Sequence, residues 1–413
     1  MAPQTHFLEG KKIIVAGAGI AGSTFVAALY KLWGPTLSFP EIAVFDRGLR
    51  EPKREGYSLS LNGENEHGGL IALQQLGVLD DILEHTVFPL NSGRFKMWDS
   101  KWNELISLQL KPFGTLPTGT MRIARKDLRR ILTEKAEQAK ATFHWGFACT
   151  AAERLENGRI KVTVASQTGD TSVHECDLLI AADGVHSKIR GSFRPDDKTK
   201  YAGAIQMGGQ GSFPNGPPSP LEQNWGMMLS GQGVSCFFSA VDKENVVWGL
   251  SQREPERNDY YPRAGGLSAD QLAALKKEAL SLGHMFAEPF RTIVEATDAA
   301  RAFMVPARDK EPIVHGASLA GLVFIGDANH AVSPFAGNGA NLALKDGWDL
   351  AEALCQAASL NAAVAAYDKT SLPRAAETLK MSHDRISMVH LTGIKHKLFR
   401  AGLATGRLFL SSK

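Results

Sequence analysis

The chain has 413 residues, of which 44% are hydrophobic and 22% charged, a composition typical of folded globular proteins and not of disordered ones. Its 46 Lys and Arg nearly balance its 43 Asp and Glu, and a net charge of +3 gives no reason to expect a nucleic-acid partner. The length exceeds one ordinary core and predicts either two domains or one large α/β unit with an added lobe.

Cysteine and histidine spacing argues against a metal site and a disulfide framework. The four cysteines are scattered without a Cys-x-x-Cys pair, and the histidines lack His-x-His or His-x-x-x-His spacing. We therefore expect no bound metal and a reducing compartment, most simply the cytoplasm. The first residues lack an apolar signal segment, and no 18-residue apolar run predicts an integral membrane span.

The first element is a strand, a glycine loop and a helix, "KKIIVAGAGIAGSTFVAALYKLW". Gly17, Gly19 and Gly22 form G-x-G-x-x-G in the context that gives the motif meaning. Gly17 allows the turn, Gly19 admits a pyrophosphate, and Gly22 lets helix and strand pack closely, with the helix N-terminus facing the phosphates. The candidate binding segment also includes Ile20 and Ala21. The motif alone does not choose between NAD and FAD.

A second strand, "EIAVFDRG", ends in Asp46, where an acid accepts hydrogen bonds from a ribose, and Arg47 follows it. The four basic residues of "RGLREPKR" are candidates to meet the 2′-phosphate of NADPH. Further along, "HGGLIALQQLGVLDDILEHT" predicts one helix, "GRFKMWD" and "ELISLQL" predict strands, and "RKDLRRILTEKAEQA" predicts an amphipathic helix.

Residues 142–183 predict a meander that ends in a buried strand, "TSVHECDLLIAAD". After a long irregular loop, "NWGMMLS", "GVSCFFSAVD" and "NVVWGLSQRE" predict an antiparallel sheet. "LSADQLAALKKEALSLGHMF" predicts a helix with a Ser N-cap. After Arg301 the parallel-strand pattern returns, and from about residue 362 the chain is predicted to be mostly helical.

The stretch "GDANHAVSPFAGNGAN" lies between an apolar strand and a long amphipathic helix. Asp327, after Gly326, can hold a sugar hydroxyl, and Pro334 presents a rigid backbone edge without an N–H. Gly337 and Gly339 let a flat ring approach the chain closely. A helix that begins near Asn338, Ala340 and Asn341 would point its positive end at that ring. His330 is equally compatible with a purely structural role.

This stretch resembles the Gly-Asp motif of class A flavoprotein monooxygenases, the para-hydroxybenzoate hydroxylase family. "DLLIAADGVHSKIR" resembles the Asp-Gly motif of that family, with Asp183, Gly184, Ser187 and Arg190 matching, and "RKDLRRIL" resembles the segment whose arginine, here Arg125, reaches the FAD. "PFAGNGAN" is also similar to the loop of tetracycline-inactivating flavin monooxygenases. The matches arrive in the family's order and cover most of the FAD-binding part.

The resemblance implies an α/β fold: a Rossmann-type FAD-binding lobe of the GR2 type, an antiparallel-sheet substrate lobe and a C-terminal helix. Residues 1–85, 116–195 and 301–361 would form the FAD-binding lobe. Residues 86–115 and 196–300 would form the substrate lobe, and residues 362–413 the C-terminal helical segment.

It also implies non-covalently bound FAD that is reduced by NADPH or NADH. Oxygen then adds at flavin C4a to give a hydroperoxide, which delivers one oxygen atom to an aromatic or polycyclic substrate by hydroxylation or epoxidation. One alternative is an FAD oxidase or dehydrogenase on the same fold. Another is a scaffold that binds a protein partner and has lost catalysis, although both glycine-containing loops are intact.

The substrate pocket is predicted from residues of the antiparallel sheet and the Gly-Asp motif. Gln206, Trp248 and Phe335 are its candidate lining residues, together with Pro334 against the flavin, and ordinary packing is the alternative for each. The C-terminal tail carries basic residues and no acid, so peripheral membrane contact is a possibility beside packing across both lobes. Those basic residues are Lys395, Lys397, Arg400, Arg407 and Lys413.

Overall fold

The computed structural model describes residues 6–35, 37–51, 57–261 and 266–410. The strands of these ranges are β1 (Lys12–Ala16), β2 (Glu41–Asp46), β3 (Ser58–Asn62), β4 (Arg94–Asp99), β5 (Glu104–Leu108), β6 (Thr120–Ala124), β7 (Ala141–Trp145), β8 (Phe147–Arg154), β9 (Ile160–Ser166), β10 (Thr171–Cys176), β11 (Leu178–Ala181), β12 (Lys200–Ser212), β13 (Asn224–Leu229), β14 (Val234–Ala240), β15 (Asn245–Gln252), β16 (Phe303–Asp309) and β17 (Leu322–Phe324).

The helices are α1 (Ile20–Leu32), α2 (Gly69–Leu76), α3 (Leu79–Glu84), α4 (Arg125–Glu137), α5 (Lys188–Phe193), α6 (Ala269–Leu282), α7 (Phe290–Glu295), α8 (Asp327–His330), α9 (Gly339–Gln356), α10 (Leu360–Val389) and α11 (Gly393–Leu410). Within the described ranges, no helix combines the length and apolar composition that crossing a bilayer requires.

A five-stranded parallel sheet in the order β17-β11-β1-β2-β7 forms the first layer. Its strands read as short apolar runs because both faces are covered. One face packs against α1, α2, α4 and α9, and the other against α5 and the antiparallel meander β10-β9-β8. The carboxyl ends of β1, β2, β11 and β17 therefore meet at one edge, where open α/β sheets bind their ligands.

Two of the helices on this sheet approach each other unusually closely. A Cβ added at Gly347 in α9 would lie 2.7 Å from both the Ala21 carbonyl oxygen and the Phe25 nitrogen of α1. Only a glycine permits this contact, which places the beginning of α1 beside the middle of α9.

A seven-stranded sheet in the order β16-β12-β15-β14-β13-β4-β5 forms the second layer. Its pairs are antiparallel except β13 and β4, which run parallel. The outer face packs on α6 and α7 through fully buried residues such as Met207, Cys236 and Trp248. The opposite face, called the inner face below, carries Gln206 and Phe237, which are only partly buried.

The chain between the two layers includes a short antiparallel ribbon of β3 and β6. Helix α10 runs 30 residues beside the Gly-Asp loop, defined here as residues 326–341, and α11 packs against β5. Helix α6 has the predicted serine N-cap, Ser268, whose side chain and that of Gln271 form a reciprocal capping box.

Two sequence-based boundaries are wrong. The helix predicted across residues 67–86 is two helices, because Gly77 adopts φ +80° and ends α2. Residues 303–309, predicted as part of the FAD-binding lobe, form β16 at the edge of the seven-stranded sheet, a position that tolerates Pro306. The C-terminal segment is helical as predicted and consists of two helices, α10 and α11.

Candidate active site

The glycine loop after β1 has the geometry that a bound pyrophosphate needs. Gly17 has φ +106°, and an added Cβ would lie 2.4 Å from the Ala182 carbonyl oxygen. At Gly22 the same atom would lie 2.0 Å from the Gly17 carbonyl oxygen, whereas at Gly19 it would meet nothing within 4 Å. Gly17 and Gly22 are thus required by the fold itself, while Gly19 borders open space. Helix α1 begins there without a side-chain cap, so its first N–H groups are available to a ligand.

Asp46 at the end of β2 is tied to this loop. Its Oδ2 accepts a hydrogen bond from the Ala18 N–H at 2.8 Å, and its Oδ1 accepts one from the Gly48 N–H at 2.6 Å. The carboxylate retains further lone pairs for a sugar hydroxyl. The Arg47 side chain is exposed, and its carbonyl oxygen accepts a hydrogen bond from the Gln167 side chain.

Asp183 lies directly after the end of β11, the strand that pairs with the central strand β1. Its Oδ2 accepts hydrogen bonds from the N–H groups of Lys188 and Ile189, whereas its Oδ1 is buried without a partner among the described residues. Burial raises the pKa of Asp183 above its ordinary value, although hydrogen bonds from Ser187 and the backbone act in the opposite direction. A buried carboxylate oxygen without a donor marks a place where a ligand hydroxyl or water fits.

Arg190 joins the Asp-Gly segment to the Gly-Asp loop. The guanidinium is 5% exposed and donates to the carbonyl oxygens of Ala328, Val185 and Asp197. The first of these carbonyls belongs to α8, directly after Asp327. Arg190 therefore positions the Gly-Asp loop through the backbone of Ala328. The three described acceptors of its guanidinium are all backbone carbonyl oxygens of the protein.

The Gly-Asp loop begins beside the glycine loop. Gly326 has φ +57°, and a Cβ there would lie 3.0 Å from the Cβ of Ala21. Asp327 follows and is exposed to the space between these loops. Crowding by the protein raises the pKa of its carboxyl above the ordinary value, while the charges of His330 and Arg125 oppose this rise. The carboxylate makes no hydrogen bond to a described residue, so it is free to accept one from a ligand.

Beneath the loop lies a buried ionic network. Asp346 of α9 is 0% exposed, and it accepts hydrogen bonds from the Gly326 N–H, His330 Nε2 and Arg374 Nη2. Burial alone would raise its pKa, but these partners outweigh burial and bring the pKa down to about 2. The same pairing raises the pKa of His330 despite its burial. His330 is thus a structural residue that holds the loop from below.

Helix α10 braces the loop from its other side. The Arg385 guanidinium donates to the carbonyl oxygens of Phe335 and Ala336, and the Ser382 hydroxyl lies 2.6 Å from that of Ser333. Pro334 and Gly337 remain exposed, and Gly337 adopts φ +60°. Sequence reasoning missed Arg385 and Ser382, because α10 offered no motif.

The start of α9 is joined to β3 by amide side chains. The Asn341 Oδ1 accepts from the N–H groups of Asn62 and Gly69, and its Nδ2 donates to the Ser60 carbonyl oxygen. Asn338 bonds the side chains of Asn62 and Thr378. The polar side-chain atoms of Asn341 are therefore taken by protein, and its predicted contact with the cofactor stays a prediction that rests on the start of the helix. The backbone of Gly339 and Ala340 starts a helix that no side chain caps.

Arg125 begins α4 next to the ribbon. Its guanidinium lies 5.8 Å from the Tyr57 ring centroid, and its charge acts on Asp327. The structure thus brings the Arg125 side chain near the Gly-Asp loop, although the two lie about 200 residues apart in sequence. Of the basic residues in "RGLREPKR", Arg50 is paired with Glu137 at 2.7 Å, while Lys53 and Arg54 lie outside the described residues.

Gln206 and Phe335 lie on the same side of the seven-stranded sheet. Phe335 packs among Ala204, Ile386 and Leu229, and its ring meets His390 edge-on at 5.8 Å. Gln206 on β12 leaves its Oε1 buried, with no hydrogen-bond partner in the part of the chain that the structure describes. The two residues border the space between the inner face and the Gly-Asp loop.

Trp248 does not belong to this space, so its predicted pocket role is wrong. The side chain is 0% exposed, packs in the outer-face core with α6 and α7, and donates from Nε1 to the Thr297 hydroxyl at 2.9 Å. Strand β15 directs alternate residues to opposite faces, and Trp248 has the parity of Leu250, three residues before the inner-facing Ser251.

The inner face instead carries a polar cluster that the sequence did not reveal. His390 Nε2 lies 3.0 Å from the Ser251 hydroxyl, and that hydroxyl lies 3.0 Å from Ser235. His390 Nδ1 lies 2.7 Å from the Ile386 carbonyl oxygen, which makes it the donor nitrogen. Burial lowers the pKa of His390, so the ring is neutral near pH 7 and its Nε2 accepts from Ser251.

Together these features define a Rossmann-type dinucleotide-binding lobe joined to an antiparallel sheet that faces its glycine loops. The residues present fit FAD: Gly19 borders open space, Asp183 Oδ1 and the Asp327 carboxylate lack donors among described residues, and α1 and α9 begin uncapped. The described residues contain no group of three or more His, Cys, Asp or Glu side chains that could hold a metal ion.

Comparison with known proteins agrees with this arrangement. Residues 63–208 and 301–382 match the model of the FAD binding domain family. The chain is also 43% identical over 404 residues to the monooxygenase cfoF of Aspergillus candidus, which covers 96% of this chain and 95% of that protein. The chain therefore belongs to the FAD-binding monooxygenase family and is an FAD-dependent monooxygenase.

Solved structures show the same fold at low identity. HpxO of Klebsiella pneumoniae, in complex with FAD and uric acid, superposes with a TM-score of 0.72 at 20% identity, over 97% of this chain and 93% of that one. The tetracycline destructase Tet(55) superposes with a TM-score of 0.69 at 20% identity, over 98% and 96% of the two chains. The predicted fold and FAD cofactor are confirmed.

Proposed function

We propose that this monooxygenase uses NAD(P)H and O2 to insert one oxygen atom into an aromatic or polycyclic small molecule. The observation that carries the substrate class is the inner face of the sheet. There the side chains of Gln206, Met227 and Phe237 are only partly buried, opposite the half-buried Phe335. Apolar and aromatic walls with few polar groups suit a flat ring. The uric acid bound to HpxO and the destructase name of Tet(55) support the same class.

We assign the cofactor contacts from the geometry above. The glycine loop and the start of α1 would hold the pyrophosphate, Asp46 a ribose hydroxyl, and Asp327 a hydroxyl of the ribityl chain. The uncapped start of α9 would face the pyrimidine side of the ring, where its positive end stabilises negative charge. Pro334 and Gly337, both exposed, would lie against the ring.

FAD, when bound, supplies electron transfer from NAD(P)H and the activation of oxygen. The chain itself orients the partners and keeps water out. Phe335 closes one side of the space, since it packs against both the sheet and α10. Arg385 fixes the carbonyl groups on either side of the Phe335–Ala336 bond, so the ring is held in one place. A fixed apolar wall limits the loss of activated oxygen as hydrogen peroxide.

The test is a ligand screen scored by stimulated NAD(P)H oxidation, followed by reaction under isotopically labelled dioxygen. We expect one labelled oxygen atom in the product and one in water. Oxygen insertion is contradicted if every aromatic compound that accelerates NAD(P)H oxidation yields only hydrogen peroxide. Rates of oxidation measured in parallel with NADPH and with NADH show which of the two cofactors the enzyme uses. Among the described basic residues of "RGLREPKR", Arg47 is the one available for a 2′-phosphate, because Arg50 is paired with Glu137.

We propose a reducing compartment such as the cytoplasm, which the four unpaired cysteines support. Contact of α11 with a membrane surface is a second proposal. Ile394 and Leu398 are 76% and 67% exposed beside Lys395 and Lys397, although Arg400 is engaged by Asp99. Sedimentation with anionic vesicles tests it, with Ile394→Ser/Leu398→Ser as the control. If the wild type and the double variant are recovered equally in the supernatant, contact of α11 with a membrane surface is rejected.

A further inference from the structure

Three of the ten methionines of this chain meet in one apolar cluster beside the proposed substrate space. Met97 is buried within the cluster, whereas Met227 and Met388 pack against it and are only partly buried. Phe335 of the Gly-Asp loop packs against the same cluster. Oxidisable thioether groups therefore lie where the protein is expected to confine activated oxygen.

Met227 belongs to the inner face of the seven-stranded sheet. In register it pairs with Phe237 of β14 on one side and with Met97 of β4 on the other. Directly paired residues of neighbouring strands share a face, and Phe237 is one of the partly buried residues of the inner face. Met227 is likewise only partly buried, so its thioether borders the space between the sheet and the Gly-Asp loop.

Two other methionines have the same chemistry in a different place. Met228, the next residue of β13, pairs with Cys236 and is 0% exposed in the outer-face core. Met285 is partly buried, as Met227 is, but it packs against that outer-face core. Position relative to the substrate space, and not burial alone, therefore distinguishes Met227 from Met285.

The reagents of the proposed reaction are sufficient to oxidise a thioether, whose polarisable sulfur accepts an electrophilic oxygen atom. Two electrons from NAD(P)H and two from the sulfur reduce one molecule of dioxygen. The O–O bond breaks, one oxygen atom bonds to the sulfur, and the other takes up two protons and leaves as water. The product is methionine sulfoxide, and no further oxidant is required.

We propose that Met227 is a self-oxidation site: when the space holds no substrate, the enzyme transfers the activated oxygen atom to the Met227 sulfur. This inference rests on the proposed function, because a side chain takes the place of the small molecule at the same site. A bound substrate shields the thioether and accepts the oxygen atom itself. The sulfoxide is polar, so its formation makes the inner face less suited to a flat apolar ring.

The first test uses the FAD-loaded wild type without added substrate. The flavin is reduced anaerobically by illumination with EDTA, which replaces NAD(P)H as the source of electrons. Labelled dioxygen is then admitted together with catalase, which removes free hydrogen peroxide, and the cycle is repeated. Digestion and tandem mass spectrometry locate the labelled oxygen, and fragment ions separate Met227 from Met228.

The reference is FAD-loaded protein whose flavin stays oxidised and which is treated with hydrogen peroxide alone. We expect the ratio of oxidation at Met227 to oxidation at Met285 to be about fivefold or more higher after flavin reduction and reoxidation than in this reference. Met228 should stay unlabelled under both conditions. A ratio that does not exceed the reference, or no label on Met227 after the flavin has been reoxidised, overturns the inference.

The second test measures total protein-bound label in Met227→Leu, a substitution that keeps the apolar character and nearly the volume of the side chain. Its label should fall about threefold or more below that of the wild type, whereas the matched control Met285→Leu should keep the wild-type label. Undiminished label in Met227→Leu overturns the inference.

The two proposals fail in different ways. If an aromatic ligand takes up labelled oxygen and Met227 does not, even without ligand, the self-oxidation site is rejected and the proposed function stands. If Met227 takes up labelled oxygen and no small molecule does, the self-oxidation site stands and the proposed substrate class is rejected.

Discussion

The Nε2 of His330 lies 2.5 Å from Oδ2 of Asp346, and neither residue is more than 2% exposed. The pair ties the short helix after Asp327 to α9, and the Gly326 N–H donates to the same carboxylate oxygen. The turn that presents Asp327 is therefore held by a buried charge.

Asp346→Asn should lower the free energy of unfolding at neutral pH by about 2–3 kcal/mol, from the difference between an unfolded pKa near 3.9 and a folded pKa of about 2. The sign follows from the depressed pKa. The contribution is present above the unfolded pKa and is lost as pH falls through the folded one. Urea unfolding of both proteins should show their difference shrinking below about pH 4. Asp384→Asn, which removes an exposed acid of α10, is the control, and a pH-independent difference contradicts the assignment.

Asp327→Ala should weaken FAD binding without unfolding the protein. The carboxylate is exposed and has no described hydrogen-bond partner, so its removal leaves the fold intact. Loss of one charge-assisted hydrogen bond to the cofactor is worth about 1.5–3 kcal/mol, or about tenfold to a hundredfold in affinity. Flavin fluorescence on titration of the apoprotein measures it. Unchanged affinity in a folded variant removes Asp327 from the cofactor site.

The glycine loop allows two substitutions with opposite outcomes. Gly22→Ala places a Cβ 2.0 Å from the Gly17 carbonyl oxygen, so we expect loss of folded protein. Gly19→Ala meets no protein atom within 4 Å, so it should fold with a wild-type melting temperature as apoprotein and yet bind FAD weakly, since the pyrophosphate approaches there. Gly191→Ala, also in open space, controls for the substitution itself. FAD retained at full strength by Gly19→Ala would place the pyrophosphate elsewhere.

The cofactor half of this site was predictable because its constraints are local. The glycines of "GAGIAG" act on each other within six residues, Asp46 ends a strand, and Asp327 follows one closely. The substrate half depends on strand register, which the sequence leaves open. A shift of one residue moves Trp248 from the inner to the outer face.

Phe335→Ala and Trp248→Phe should separate the pocket from the sheet core. Phe335 borders the space between the inner face and the Gly-Asp loop, so its truncation should lower product formed per NAD(P)H consumed and raise peroxide, with FAD still bound. Trp248→Phe loses the hydrogen bond to Thr297 and leaves a void in the outer-face core, so it should lower the melting temperature. Its product yield should stay at the wild-type level, because the ring points away from the space. Product, peroxide and melting temperature are measured on the same preparations. Uncoupling in Trp248→Phe with an unchanged melting temperature would return that residue to the pocket, and full coupling in Phe335→Ala would remove Phe335 from it.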